Sequence, residues 1–226
     1  MKRWFTIVLL ATFTGCGKPV PAKPDQSSAP AIATAVEPTA VNQQSAAERT
    51  PAVKASMDEA DQIASLINPA KLATLKSRGA NPRILKITAI LITAKNSGKS
   101  PAEITLEAVE KIGWGRTDKG SLTAAAILRN LTIAEELGST TPEDLIEMKK
   151  GQSPVVRKGP STGDIVSVDH IIPVASVPEL SNVIANLELL PLKLNQSKGD
   201  SIGPRQRDLA KKLHAAGLLP NPKLPD

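Results

Sequence analysis

Asp169 and His170 stand side by side in "DHIIPVASVPELSNVIANLELLPLKLNQSKGD", with Pro173 three residues past the histidine and Asn195 and Lys198 near the end of the stretch. An imidazole with an ordinary pKa of about 6.5 can accept or give a proton near neutral pH. A carboxylate and an amide oxygen are hard donors suited to a cation. Neighbouring side chains on a regular strand point to opposite faces, so Asp169 and His170 serve one site only if the strand ends or bends there. Pro173 and Pro178 give the chain reason to leave a sheet at that point. Lys198 lies one helical turn beyond Asn195, on the same face of a helix. The chemistry in view is a cation held beside a proton acceptor. The only other histidine, His214, sits in "LAKKLHAAGLL" without comparable neighbours and reads as an ordinary surface or half-buried residue.

These side chains need elements to aim them. Residues 165–169 are β-branched and bounded by Gly and Pro, which predicts a short strand. The run "ANLELLPLKLN" fits strand or helix, with Pro191 cutting it. "GPRQRDLAKKLHAAGLL" has leucines at near-helical spacing, an early Pro204 and a late Gly217, and predicts a helix. Upstream, residues 56–150 carry repeated helix punctuation that predicts five or six helices. Ser56, with Glu59 three residues on, forms a capping-box pattern. Asn68-Pro69, Asn81-Pro82, Ser100-Pro101, Ser121 and Thr141-Pro142 open further helices, and Gly79, Gly98, Gly113, Gly138 and Gly151 close them.

The order Asp169, His170, Pro173, then Asn186, Leu187, Leu190, then Asn195, Lys198, Gly199 resembles the HNH nuclease signature D-H-x-x-P, N-L-x-x-L, N-x-x-K-G. The likeness covers roughly residues 150–215. It implies a ββα unit that binds one divalent metal, so the fold class expected for the chain is α+β, mainly α. The helical region comes first, then the small ββα-metal motif and a C-terminal helix. It also implies His170 as general base, Asp169 and Asn195 as metal ligands, and Asn186 as a residue that holds the His170 loop through backbone hydrogen bonds. Lys198 would contact phosphate, with Arg205 and Arg207 as further phosphate-binding candidates. Two protein oxygens with open positions favour Mg²⁺ or Mn²⁺ over a structural zinc cage. The cysteine pairs of a zinc ribbon are absent from the sequence. A ββα element this short cannot bury a sufficient core alone, so the helical region or the last helix must brace it.

The start of the sequence reads as an address. Lys2 and Arg3 precede an apolar run from Trp4 to Thr14, too short to span a membrane, and then Gly15-Cys16. This resembles a bacterial lipoprotein signal, with Cys16 lipidated; an ordinary secretory signal is the alternative. Residues 17–55 are rich in Pro, Ala, Ser and Gln and read as a disordered tether. The expected organisation is therefore signal 1–16, tether 17–55, helical region 56–150 and nuclease domain 151–226.

The 226 residues carry a formal charge of +6. From Lys149 onward there are eleven Lys/Arg against seven Asp/Glu, a local excess of +4 where phosphate would need it. Lys149, Lys150, Arg157 and Lys158 could face DNA or simply be solvated. There is no Tyr, and Trp114 is the one aromatic residue beyond the first fifteen positions. It reads as a packing residue between helices. Any core is therefore aliphatic, and stacking-based readers of single strands are disfavoured. The expected activity is metal-dependent hydrolysis of DNA, more than RNA, by an exported, membrane-tethered endonuclease. The alternative is an envelope lipoprotein that uses the same scaffold for binding without cleavage.

Overall fold

The computed structural model describes residues 57–224. Six helices come first: α1 (Glu59–Ile67), α2 (Pro69–Ala73), α3 (Asn81–Asn96), α4 (Pro101–Lys111), α5 (Asp118–Glu136) and α6 (Pro142–Lys150). Strands β1 (Val166–His170) and β2 (Leu187–Pro191) then pair as an antiparallel hairpin. Helix α7 (Leu192–Lys198) continues directly from β2, and α8 (Pro204–Ala215) follows. The architecture is mainly helical, with a two-stranded hairpin and helices after it, the α+β, mainly α class expected from the sequence. Among the described residues no helix is long and apolar enough to cross a membrane.

Local capping chemistry explains most of the helix boundaries. The side chains of Asn68, Ser100 and Thr141 accept hydrogen bonds from the Lys71, Glu103 and Asp144 amides, each with proline at the start of the helix. Such caps satisfy amides that have no partner within the helix. Four boundaries differ from expectation. Helix α1 is capped by Asp58, whose carboxylate accepts from the Asp61 amide, and Ser56 lies outside the described residues. Helix α5 starts one turn early, capped by Thr117 rather than opened by Ser121. This places Gly120 inside the helix, where a Cβ would lie 2.1 Å from the Trp114 carbonyl oxygen. Only glycine lets the preceding turn pass so close.

The third difference matters most for the site. The sequence predicts a helix from Pro69 to Gly79, but α2 stops at Ala73. The backbone of 75–80 is captured by a distant dipeptide instead. Arg78 N donates to Ser181 Oγ at 2.7 Å, and Ala80 N donates to Asn182 Oδ1 at 3.0 Å. Asn182 Nδ2 donates to the Leu75 and Lys76 carbonyls. Asn81 likewise does not cap α3; it is that helix's first residue, and its side chain reaches the hairpin.

The main core is aliphatic throughout. Ile84, Ile87 and Leu91 of α3 pack with Ile63 and Ile67 of α1, Val109 of α4, Ile127 of α5 and Met148 of α6. Full burial of such a side chain contributes about 1.5–3 kcal/mol relative to exposure, which offsets the missing aromatics. Val166, Leu187 and Leu189 of the hairpin belong to the same core. A smaller cluster joins Ile172, Val177 and Leu180 to Ala210 and Leu213 of α8 and to Ala126 of α5.

Candidate active site

The hairpin register places Asp169 opposite Glu188 and His170 opposite Leu187. Opposed residues share a face, so Asp169 and His170 start on different faces of the sheet. β1 ends at His170, and the chain is turned there by Asn186. Ile171 N donates to the Asn186 carbonyl at 2.8 Å. The Asn186 side chain then accepts from Ile172 N at 2.8 Å and donates to Ile172 O at 2.9 Å. Asn186 is fully buried, so both bonds are made away from water. After this bend both Asp169 and His170 line one cavity of about 200 Å³, together with Asn195, Gly199 and Arg78.

Helix α7 lies along the Asp169 face. Asn195 Nδ2 donates to Ser167 Oγ at 3.0 Å, leaving its amide oxygen as the end available to a cation. Lys198 Nζ donates to Asp169 Oδ2 at 2.5 Å and to the His170 carbonyl at 2.7 Å. Gly199 ends the helix at φ 58° and ψ −148°, a conformation that essentially only glycine adopts. The Lys-Gly pair of the motif thus has a local reason: the lysine is anchored and the chain then turns sharply away.

His170 is 6% exposed, and its Nε2 lies 2.9 Å from the Ser181 carbonyl oxygen. A carbonyl only accepts, so Nε2 carries the proton of the neutral ring and Nδ1 keeps the lone pair. Burial pushes the His170 pKa below its ordinary value, and the nearby Arg78 and Lys198 charges push the same way. The Ser181 carbonyl and Asp169 oppose this and only partly offset it. A neutral imidazole with one free lone pair is the form a general base requires.

Both edges of the two-stranded sheet are covered by asparagines from the helical region. On the β2 side, fully buried Asn130 of α5 donates to Leu187 O at 3.0 Å and accepts from Leu189 N at 2.7 Å. Its amide takes the place of a peptide group on a third strand. Arg129 also donates to Leu187 O. On the β1 side, Asn81 Nδ2 reaches Val168 O at 3.4 Å. Exposed edges would otherwise leave unpaired backbone groups.

The structure distributes the expected site residues unevenly. Asp169, His170 and Asn195 share the cavity, with Lys198 bonded to its wall and Asn186 behind it. Arg205 and Arg207 lie on α8, outside the lining of that cavity. Arg205 is bound in bidentate fashion to Glu188, which is 5% exposed. In the basic cluster considered for DNA contact, Arg157 is held by buried Asp144 and Lys150 by Glu147. Trp114 is half-buried beside an apolar groove, and His214 is exposed, with Nδ1 on the Leu219 carbonyl. Cys16, the signal and the whole of the tether lie outside the described residues. Arg78, Asn130, Ser181 and Asn182 had no signal in the sequence, and Asn81 had only that of a helix start, because the partners of all five lie between 57 and 107 positions away.

Among the described residues no three His, Cys, Asp or Glu side chains are grouped to hold a metal ion. The expected donors are instead one carboxylate and one amide, Asp169 and Asn195, on walls of the same cavity. Such hard oxygens suit Mg²⁺ or Mn²⁺. The Lys198 ammonium on Asp169 is the charge that any cation at that carboxylate would have to displace. Comparison with protein-family models, curated proteins and solved structures found no match.

Proposed function

We propose that the protein is an HNH-type, metal-dependent endonuclease that hydrolyses phosphodiester bonds in DNA. The observation that carries this reading is the convergence of Asp169, His170 and Asn195 on one cavity at the end of a hairpin followed by a helix. His170 Nδ1 takes the proton of the attacking water. Ser181 fixes the ring, and Asn186 fixes the bend that brings it beside Asp169. Asp169 and Asn195 would hold Mg²⁺ or Mn²⁺, which when bound offsets negative charge developing on the phosphate. Lys198 supplies a cation to a phosphate oxygen. Export and lipid attachment at Cys16 belong to the same proposal, and Cys16→Ala is expected to release the protein from the membrane fraction.

Plasmid incubated with the protein and Mg²⁺ or Mn²⁺ is expected to be nicked and linearised. His170→Ala should slow this by about 10²–10⁴-fold, and Asn195→Ala should demand a higher metal concentration. Intact plasmid under every metal tried, or variants that cut as fast as the parent, overturns the reading. The Lys198–Asp169 ion pair favours one rival: a scaffold that binds an envelope component without cleaving, in which the lysine permanently fills the cation position. Calorimetric titration separates the two. A nuclease takes up about one Mn²⁺ per chain, dependent on Asp169, and the scaffold takes up none.

A further inference from the structure

We propose that Arg78, supplied by the turn between α2 and α3, is a phosphate-binding residue of the same cavity. This inference rests on the nuclease reading of that cavity. Arg78 lines it alongside Asp169, His170 and Asn195, although it comes 91 positions before Asp169 in the chain. Its side chain is exposed, and its guanidinium makes no hydrogen bond or ion pair among the described residues. Three other arginines are committed: Arg83 to the Leu66 carbonyl, Arg157 to Asp144, Arg205 to Glu188. An uncommitted guanidinium beside a cavity with hard oxygen donors has the fork that binds two phosphate oxygens at once.

The backbone gives an independent reason. Arg78 is the one non-glycine described residue with positive φ, at 62°. Glycine would adopt this conformation without strain, whereas arginine does so at a cost. Strain of this kind persists where surroundings over-determine it, and it clusters at functional sites. The surroundings here are explicit. Arg78 N donates to Ser181 Oγ, Ser77 Oγ shares that hydroxyl, and Asn182 binds the Leu75 and Lys76 carbonyls and the Ala80 amide. The Ser181 carbonyl also fixes His170. One dipeptide, Ser181-Asn182, therefore sets the spacing between the proton acceptor and the added cation. The helical region does more than brace the hairpin: it completes the site.

Arg78→Gly separates side chain from scaffold, because it removes the guanidinium and relieves the strain together. The expected result is a Tm higher by about 3 °C and kcat/KM for plasmid cleavage lower by about 10–100-fold. Duplex affinity should also become less salt-dependent. With a fluorescein-labelled duplex of about 20 base pairs, held uncut in Ca²⁺, the slope of log K against log salt should fall by about one. Arg78→Lys should restore that slope but only part of kcat/KM, since a point charge replaces a fork. Arg78→Gly that cuts and binds with parental rate and slope overturns the proposal. If the parent binds duplex without cutting and the slope still falls by one, the phosphate site stands and the nuclease reading fails. If the parent binds no duplex at any salt, both fail.

Discussion

Residues 59–150 and residues 151–219 are stabilised by different means. The first region is built from signals a few residues apart: a capping side chain, a proline at the helix start, an apolar face. Its faces then close on one aliphatic core. The second region has short strands and little core that is its own. Val166, Leu187 and Leu189 are buried against α1–α6, and Ile172 and Leu213 pack with Ala126 of α5. The outer edges of its sheet are satisfied by asparagines remote in sequence. The lesson is that a catalytic-looking motif of some thirty residues is placed by side chains that the motif does not contain.

The most drastic way to break this contrast is to separate the two regions. Residues 151–226 expressed alone are expected to lack a cooperative fold, with collapsed amide dispersion and no sigmoidal urea transition. Without α3 and α5, the hairpin loses its buried face and both edge partners, and small units of this kind rarely bury enough surface to fold. A dispersed spectrum from that fragment would show that the motif supports itself.

A single atom pair tests the same point more gently. Asn130→Ala leaves Leu189 N and Leu187 O without their amide partner in the interior, at a cost of about 3 kcal/mol. The urea midpoint should fall with the m-value unchanged. A loss below about 1 kcal/mol would mean that water takes over the Leu189 amide, with Leu187 O still held by Arg129. Cleavage measured well below the midpoint should also suffer, because β2 carries α7 and therefore Asn195.

The fold was legible in the sequence where its causes are local. Ser100-Pro101 and Thr141-Pro142 marked helix starts, Gly151 marked a helix end, and the β-branched run before Asp169 marked the strand. It was illegible where a tertiary partner overrides a local pattern. "PAKLATLKSR" has a helical pattern, yet Ser181 and Asn182 take up the amides and carbonyls that would have continued the helix. The ambiguity of "ANLELLPLKLN" resolved as both: strand to Pro191, helix from Leu192. In the site, Asp169, His170, Asn186 and Asn195 were readable as a spaced set, whereas Arg78 was not. Nothing near residue 78 indicates that its turn is folded onto the loop after β1.

Asp144 joins the two regions and gives the contrast a pH dependence. Burial would raise its pKa, but Arg157 and Thr141 outweigh burial and hold the carboxyl below its ordinary 3.8. A lowered carboxyl pKa adds stability that is fully present above 3.8 and is lost as pH falls through the folded value. The parent should therefore lose stability on acidification below about pH 4, and Asp144→Asn should show a flatter profile in that window. At pH 7 the variant should be weaker by about 2 kcal/mol, since Arg157 loses its bidentate partner. Identical slopes in the two proteins between pH 5 and pH 3 would remove Asp144 as the source.

The smallest expected effect marks the other side of the comparison. Ser100 caps α4 by accepting from the Glu103 amide at 3.3 Å, and it touches nothing in the hairpin. Ser100→Ala should cost about 1 kcal/mol or less, as removal of an N-cap oxygen does. Cleavage and duplex binding should be unchanged, because no bond from α4 reaches the cavity. Combined with Asn130→Ala, the losses should add to within about 0.5 kcal/mol, since the two sites share no partner. A coupling larger than that, read from urea midpoints of the four proteins, would mean that the helical region passes strain from α4 through α5 to β2. The helices would then be part of the site's mechanics throughout, not only at Arg78, Asn81 and Asn130.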